Sequence, residues 1–520
     1  MDRRNFIKAG AALSMLNGCG ALSAQQVPSR TWDDRDFGSG PVPADRLNQG
    51  PFGIDQDEGW YTVLVTSQSD QPVRNYGLGL VGYSWEEGGP SLAARQGTET
   101  LEKHIENLSS LPFVDVLYIR CDWRDVQTAP GKLNLHPVFK LTLEAAKQHK
   151  LGVAFRIQMS NTEFQPTRLA LPDFLQKKVP LVKIGKTYGS DFQFVEPRYD
   201  HSAFQSAFRE LNELLVAEFD DHPLMEFVDL MMYGFWGEGH TSNLPNPFPD
   251  YLTAEKTFAD MTQIQLGLWK KVPLAVNTQP DISSVGNTRV LDMCVREGCW
   301  LRSDSIVIEE PIQIEQLANR PPWLAVVMED GYYRQYKVDQ AYIPADDAGV
   351  NVLEKWMLHS LDLGANYWSL WTESNNLARY NERYPRGFET LRKRIGYRIR
   401  PSWVWQRKRY GTNELIVAFA NDGVAGVPGI LRVFVEGLDG KVIVGGSLDA
   451  GHPHGGKLRQ ASFILPKGMD GQKMKIRAEI ETKGGIRRPV RWASAQPPNA
   501  DGSLTIQLLR GDDKKWRKGV

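Results

Sequence analysis

The chain has 520 residues, with 61 Lys and Arg against 62 Asp and Glu, a formal charge of −1. That length allows about three domains, or one large barrel with appendages. The near-zero charge lacks the basic footprint of a nucleic-acid binder, and 41% apolar with 24% charged residues excludes wholesale disorder. Four cysteines are too few for a disulfide framework. The nine histidines are scattered and form no His-Glu-x-x-His or paired-ligand motif, so neither a metal nor another cofactor is expected. The 15 Trp and 17 Tyr suit sugar stacking and core packing alike, and composition alone favours the core.

The chain opens Met1-Asp2-Arg3-Arg4-Asn5-Phe6-Ile7-Lys8, followed by an apolar stretch from Ala9 to Leu16. Paired arginines ahead of a short apolar run resemble a twin-arginine export signal. The stretch is shorter than the roughly 20 residues needed to span a bilayer, and no other stretch approaches that length. Leu16-Asn17-Gly18-Cys19 resembles a bacterial lipobox, which implies a lipid anchor on Cys19. Leu22-Ser23-Ala24 resembles a plain cleavage site before Gln25, the preferred reading. Residues 1–26 are thus read as an export signal and 27–74 as an extension, with the mature chain periplasmic or secreted.

From Tyr76 to Trp371 one theme repeats: a short apolar run ending in polar or aromatic residues, then a longer amphipathic stretch. The runs are Tyr76–Val81, Val114–Arg120, Gly152–Gln158, Val228–Tyr233, Pro273–Asn277, Trp300–Ser303, Trp323–Met328 and Ala365–Leu370. Helical patterns lie between them, at Phe139–Gln148, Ser202–Phe219, Ala254–Trp269 and Val352–Asp362. Eight such alternations predict a parallel α/β fold, most economically a (β/α)8 TIM barrel over residues 75–400. An open doubly wound sheet is disfavoured because no Gly-rich fingerprint follows any run.

Beyond Arg400 the texture changes to short alternating runs: Leu415–Ala420, Gly429–Glu436, Lys441–Val444, Gln460–Leu465, Met474–Ile480 and Leu504–Leu509. Turn clusters such as Asn421-Asp422-Gly423 and Asp439-Gly440 separate them, which predicts an all-β sandwich over 401–520. Packing on the barrel is preferred to glycan binding as its role. The tail from Asp512 to Lys518 reads as a solvated charge run. Cys294-x4-Cys299 has the wrong spacing for a metal hook and suggests a local disulfide or two buried thiols.

A barrel of this kind carries its chemistry at the C-terminal ends of its strands. Strand two supplies Arg120-Cys121-Asp122-Trp123 and strand three Arg156. Strand four runs into Tyr233-Gly234-Phe235-Trp236-Gly237-Glu238-Gly239-His240. Strand five gives Asn277, strand six Arg302-Ser303-Asp304, strand seven Glu329-Asp330, and strand eight Trp371 and Glu373.

The strand-two region, Arg-x-x-Trp and then Pro-Gly-x-Leu-Asn, resembles clan A retaining glycoside hydrolases, including the family-42-like barrels. Gly234–His240 and Arg302–Ser305 are similar to segments of a barrel family of uncharacterised glycosidases with a C-terminal β domain. The resemblance covers roughly residues 75–400. It implies an acid/base Glu after strand four, here Glu238, and a nucleophile Glu after strand seven, here Glu329. One departure stands out, since clan A usually has Asn before the acid/base where this chain has Gly237. Asn277 or Asp304 must then take over holding the sugar's 2-hydroxyl.

The chemistry needs two carboxylates whatever the family. Cleaving a glycosidic bond builds positive charge at the anomeric carbon and negative charge on the leaving oxygen, so one carboxyl donates a proton while the other attacks. Glu238, flanked by Trp236 and His240 on a Gly-rich turn, suits the acid. Glu329, after the apolar run Leu324–Met328, suits the nucleophile. A retaining pair lies about 5–5.5 Å apart and an inverting pair about 6.5–9.5 Å.

Glu309, Glu310 and Glu373 are rival nucleophiles. Arg120 and Arg156 would orient a carboxylate, bind an acidic sugar or form structural ion pairs, and Trp123, Trp236 and Trp371 are stacking platforms or packing. The expected partner is an oligosaccharide or polysaccharide, not nucleic acid; oligomeric state is not legible. A catalytically silent glycan-binding barrel competes, favoured if either glutamate is buried against Arg. A polysaccharide lyase using Tyr233, His240 and Arg302 is the third reading.

Overall fold

The computed structural model describes Pro51 and residues 59–510, with breaks at 87–88, 90–96, 98, 166, 187–190, 279–284, 286–287, 306–310, 330–351, 371–376, 379–380, 383–384 and 410. The export signal, Cys19 and the charged tail lie outside these residues. Among the described residues no helix is long and apolar enough to cross a membrane.

A first strand, β1 (Trp60–Val65), precedes the barrel. Then come β2 (Gly79–Trp85), β3 (Val116–Asp122) and β4 (Gly152–Gln158), a hairpin of β5 (Leu181–Gly185) and β6 (Phe194–Pro197), and β7 (Met225–Asp229), β8 (Leu274–Asn277), β9 (Trp300–Ser305), β10 (Val326–Glu329) and β11 (Tyr367–Leu370). Without the hairpin, β2 to β11 form a closed eight-stranded parallel barrel, β11 pairing back onto β2. The expected TIM barrel is therefore what the chain forms, and the open sheet is excluded.

The helices fill the gaps between strands as the amphipathic patterns predict. Phe204, Phe208, Leu211, Leu215 and Phe219 fall on one face of the helix Ser202–Phe219 and are buried against the barrel. Each such side chain removed from water contributes roughly 1.5–3 kcal/mol. His201 caps this helix, its Nδ1 accepting from the Ala203 N–H at 3.3 Å.

Two strands lie furthest from the hydrophobic runs that predict them. The first run, Tyr76–Val81, is interrupted by Gly77 at φ +84°, and Leu78 belongs to the core of the β module, so the barrel strand starts at Gly79. The fourth run, Val228–Tyr233, leaves the sheet at Asp229. Beyond it the Met231 N–H and carbonyl bond the Gln265 side chain, and Tyr233 packs edge-on against Phe258. Its apolar character thus serves helix packing rather than the strand. The β5–β6 hairpin was not legible in so short an alternation.

The C-terminal module contains β12 (Ile399–Arg409), β13 (Thr412–Asn421), β14 (Ile430–Gly437), β15 (Val442–Ser447), β16 (Leu458–Leu465), β17 (Lys473–Glu481), β18 (Arg487–Val490) and β19 (Leu504–Gln507). One antiparallel sheet runs β1-β12-β13-β16, the other β15-β14-β17-β18 with β19 on β17. Val417, Phe419 and Phe463 from the first sheet and Val433, Ile476 and Ile480 from the second share one core, which makes a sandwich. Its first strand comes from residues 60–65, inside the segment the sequence reads as an extension. Cys121, Cys294 and Cys299 are buried free thiols, so the alternative of a local disulfide is not taken.

Candidate active site

Strand alternation decides which side chains reach the barrel interior. On β3, Val116 and Tyr118 join the interior cluster while Leu117, Ile119 and Cys121 pack against the helices, so Arg120 and Asp122 point inward. Ala154 of β4, Trp300 of β9 and Val327 of β10 are also interior. The same period of two turns Arg156, Arg302 and Glu329 into the barrel, one step nearer its C-terminal mouth.

These residues form one buried network. Arg120 donates from one terminal nitrogen to Glu238 Oε1 at 3.3 Å and from the other to Glu329 Oε1 at 3.2 Å. Arg156 reaches Glu238 Oε1 at 2.9 Å and Asp229 Oδ2 at 2.8 Å. Arg302 lies 3.4 Å from both Glu329 Oε2 and Asp229 Oδ2. The Tyr83 hydroxyl accepts from Arg302 at 3.0 Å and from Ser369 Oγ at 2.9 Å, and stands 3.5 Å from Glu329. Three guanidinium groups thus face three carboxyl groups, and all six residues are at most 2% exposed. Buried charges persist only when paired and hydrogen-bonded in this way.

Glu238 sits on a tight turn rather than on the strand. Gly234 and Gly237 have φ of +81° and +73°, and Trp236 between them is left-handed at +56°. A Cβ on Gly234 would fall 2.1 Å from the His240 carbonyl oxygen, so only glycine fits there. The Phe235 N–H donates to the His240 carbonyl at 2.8 Å, closing the loop, and the Trp236 N–H donates to the Ser160 carbonyl at 2.9 Å. His240 Nε2 lies 3.6 Å from Glu238 Oε2.

The other expected site residues separate into groups. Asn277 is buried at the mouth, but its amide donates to the Glu238 backbone carbonyl at 3.2 Å, so it braces the turn. Trp123 is fully buried, its Nε1 bonded to Gln127 and its ring edge-on to Phe204 and Phe208; it is a packing residue, not a stacking platform. Trp236 is 1% exposed and packs on Phe235 and His240 beneath the β5–β6 hairpin, which also removes it as an open platform. Tyr233 lies among Tyr199, Phe248 and Phe258 in the layer between barrel and helices. Asp304 lies on β9. Trp371, Glu373, Glu309, Glu310 and Asp330 lie outside the described residues.

Sequence reasoning missed Tyr83, Asp229 and Ser369. The first two were hidden by the register shifts of β2 and β7, which moved the apparent strand ends. Alternation from an apolar neighbour would have found them: Phe227 inward implies Asp229 inward. Ser303 Oγ accepts from the Glu329 N–H at 3.2 Å and so fixes the carboxylate's strand position.

A further inward carboxyl, Asp122, stands one step above Arg120. Its Oδ1 accepts from Asn161 at 3.0 Å and its Oδ2 lies 3.4 Å from Arg168. Burial, then the neighbouring charge of Asp125, pushes its pKa up to about 7. Beside it, on the same end of the barrel, a polar cleft of about 400 Å³ is lined by Arg124, Gln165, Arg168, Asp173 and Gln193. Among the described residues no group of three or more His, Cys, Asp or Glu side chains is placed to hold a metal.

No protein-family model matches this chain, and no curated protein matches it. Solved structures with a similar fold include the catalytic domain of β-amylase from Paenibacillus polymyxa, at 10% identity and TM-score 0.38 over 60% of this chain and 97% of that one. Endo-glycoceramidase II from Rhodococcus sp. matches at 12% and 0.37 over 76% and 100%. A glycoside hydrolase family 5 enzyme from Prevotella bryantii matches at 10% and 0.38 over 63% and 99%.

Proposed function

We propose that the chain is a glycoside hydrolase that cleaves O-glycosidic bonds of oligo- or polysaccharides, with Glu238 as general acid/base and Glu329 as nucleophile. The observation that carries this reading is the single Arg120 guanidinium touching both carboxylates at the C-terminal mouth. Bonds of 3.3 and 3.2 Å to one guanidinium keep the two carboxyl groups within about 9 Å of each other, inside the combined span of retaining and inverting glycosidases.

In the first step Glu238 gives its proton to the leaving oxygen while Glu329 attacks the anomeric carbon, and the C–O bond to the aglycone breaks as the glycosyl ester forms. Glu238, now a carboxylate, takes a proton from water, whose oxygen displaces Glu329 and restores the starting state. Arg120, Arg302 and Tyr83 orient the Glu329 carboxylate, and Asn277 with Arg156 fixes the turn that presents Glu238. The leader that resembles a twin-arginine signal supports placement outside the cytoplasm, where polymeric glycans are met.

An activated 2-deoxy-2-fluoro glycoside tests the retaining step, because fluorine slows both formation and hydrolysis of the glycosyl ester while the activated leaving group restores its formation, so the ester accumulates. Peptide mass spectrometry should find the sugar on Glu329, and a label on another residue would reassign the nucleophile. A second reading is favoured by one specific observation: Glu238 and Glu329 are 2% and 0% exposed and both are ion-paired to arginine. That is the arrangement expected of a barrel that binds glycans without cleaving them. Glycan binding without turnover would decide for it.

A further inference from the structure

A carboxyl outside the arginine network is bound to the turn that carries Glu238. Glu196 lies on β6, fully buried. Two hydroxyls donate to it: Tyr199 to Oε2 at 2.5 Å, and Ser160 to Oε1. Each of those residues in turn holds one amide of the turn. The Tyr199 oxygen accepts the Gly234 N–H at 2.9 Å, and the Ser160 carbonyl accepts the Trp236 N–H at 2.9 Å.

We propose that Glu196 is a positioning residue for Glu238, its one carboxyl setting both Tyr199 and Ser160 so that they clamp Gly234 and Trp236 and hold Trp236 left-handed. The inference rests on reading Glu238 as the acid/base. It follows from where the strain is. Trp236 at φ +56° adopts a backbone that a bulky residue leaves unless its surroundings impose it. The two clamped amides, of Gly234 and Trp236, bracket Phe235. The Trp236 carbonyl accepts at 3.3 Å from the same Arg156 nitrogen that binds Glu238 Oε1. Releasing the clamps therefore frees Trp236, shifts its carbonyl off Arg156 and moves the Glu238 carboxyl that Arg156 also holds. A tyrosine hydroxyl that both donates and accepts, as Tyr199 does, transmits orientation that an apolar contact cannot.

The test compares Glu196→Gln, Tyr199→Phe and the parent by residue-resolved amide hydrogen exchange and by steady-state kinetics on a glycan the parent cleaves. Glu196→Gln keeps the volume but sets an amide against one of the two hydroxyls. Tyr199→Phe removes only the oxygen and keeps the ring packed on Phe204 and Phe248. Exchange at Gly234 and Trp236 should speed up by about tenfold or more in both variants, while β3 and β4 amides stay protected. kcat should fall about tenfold or more with KM changed by less than about threefold, as expected when the acid is misplaced but binding is not.

Unchanged exchange across residues 234–240 in both variants overturns the proposal, as does faster exchange with kcat intact. If Glu196→Gln loses protection everywhere, Tyr199→Phe decides alone. If no glycan is cleaved by the parent, the glycosidase reading fails, and the exchange result alone supports or overturns the clamp.

Discussion

Glu238 and Glu329 share one guanidinium, that of Arg120, although one sits on the turn after β7 and the other at the end of β10. The barrel alone makes this meeting possible, because residues 91 positions apart in sequence converge only where strands close into a ring. Replacing Arg120 by Met should leave two buried carboxylates short of a partner and cost about 3–5 kcal/mol. The same replacement in a Glu238→Gln, Glu329→Gln background should cost clearly less than it does in the parent. Equal costs in denaturant unfolding would mean that the three groups are not coupled.

The glycine turn separates two kinds of backbone demand. Gly234→Ala places a Cβ 2.1 Å from a carbonyl oxygen, whereas Gly237→Ala meets the Arg156 Cδ at 3.3 Å with φ +73°. The first should disrupt the turn and abolish function. The second should cost about 1–2 kcal/mol of strain and push Arg156 aside. Comparable thermal stability and activity for the two variants would contradict this geometry.

Glu226 at the opposite end of the barrel sets a pH dependence of stability. Burial raises its pKa to about 7, with Tyr367 and the Gly77 N–H acting in the other direction. The folded chain therefore keeps a proton that the unfolded chain releases above about pH 4.3. Stability from this group is highest below that pH, falls as pH rises towards about 7 and is level beyond, a loss of at most about 4 kcal/mol. Glu226→Gln should flatten the difference between unfolding at pH 5 and pH 8, and an unchanged slope would remove Glu226 from the account.

Trp123 offers a clean separation of packing from binding. Trp123→Phe should destabilise by about 1–3 kcal/mol and leave KM unchanged, since the ring lies against Phe204 and Phe208 behind the strand. A raised KM at full stability would restore it as a sugar platform.

Much of the barrel is legible in the sequence. Eight apolar runs became eight barrel strands, and Ser202–Phe219 and Val352–Asp362 are helices over the residues their periodicity marked. Glu238 and Glu329 are singled out because they follow strands four and seven, where the resemblance to clan A glycoside hydrolases implies the acid/base and the nucleophile. What failed did so for physical reasons. Trp123 and Trp236 read as platforms because sequence cannot say which side of a strand end a ring faces. Tyr83 went unnoticed because it lies past the end of the run Tyr76–Val81, and Asp229 because it lies near the start of the run Val228–Tyr233 rather than at the end where site residues are sought. Glu196 gave no signal at all, since its partners Ser160 and Tyr199 come from another loop and from three residues on.

The most direct test of the central claim is hydrolysis of a panel of aryl glycosides and oligosaccharides by the parent, Glu238→Gln and Glu329→Gln, with the anomeric form of the first product followed by NMR. The account predicts that the parent cleaves at least one member with retention, and that each variant falls by about 10³-fold or more while remaining folded. A variant that keeps the parental rate, or a parent that binds glycans and cleaves none, would contradict it.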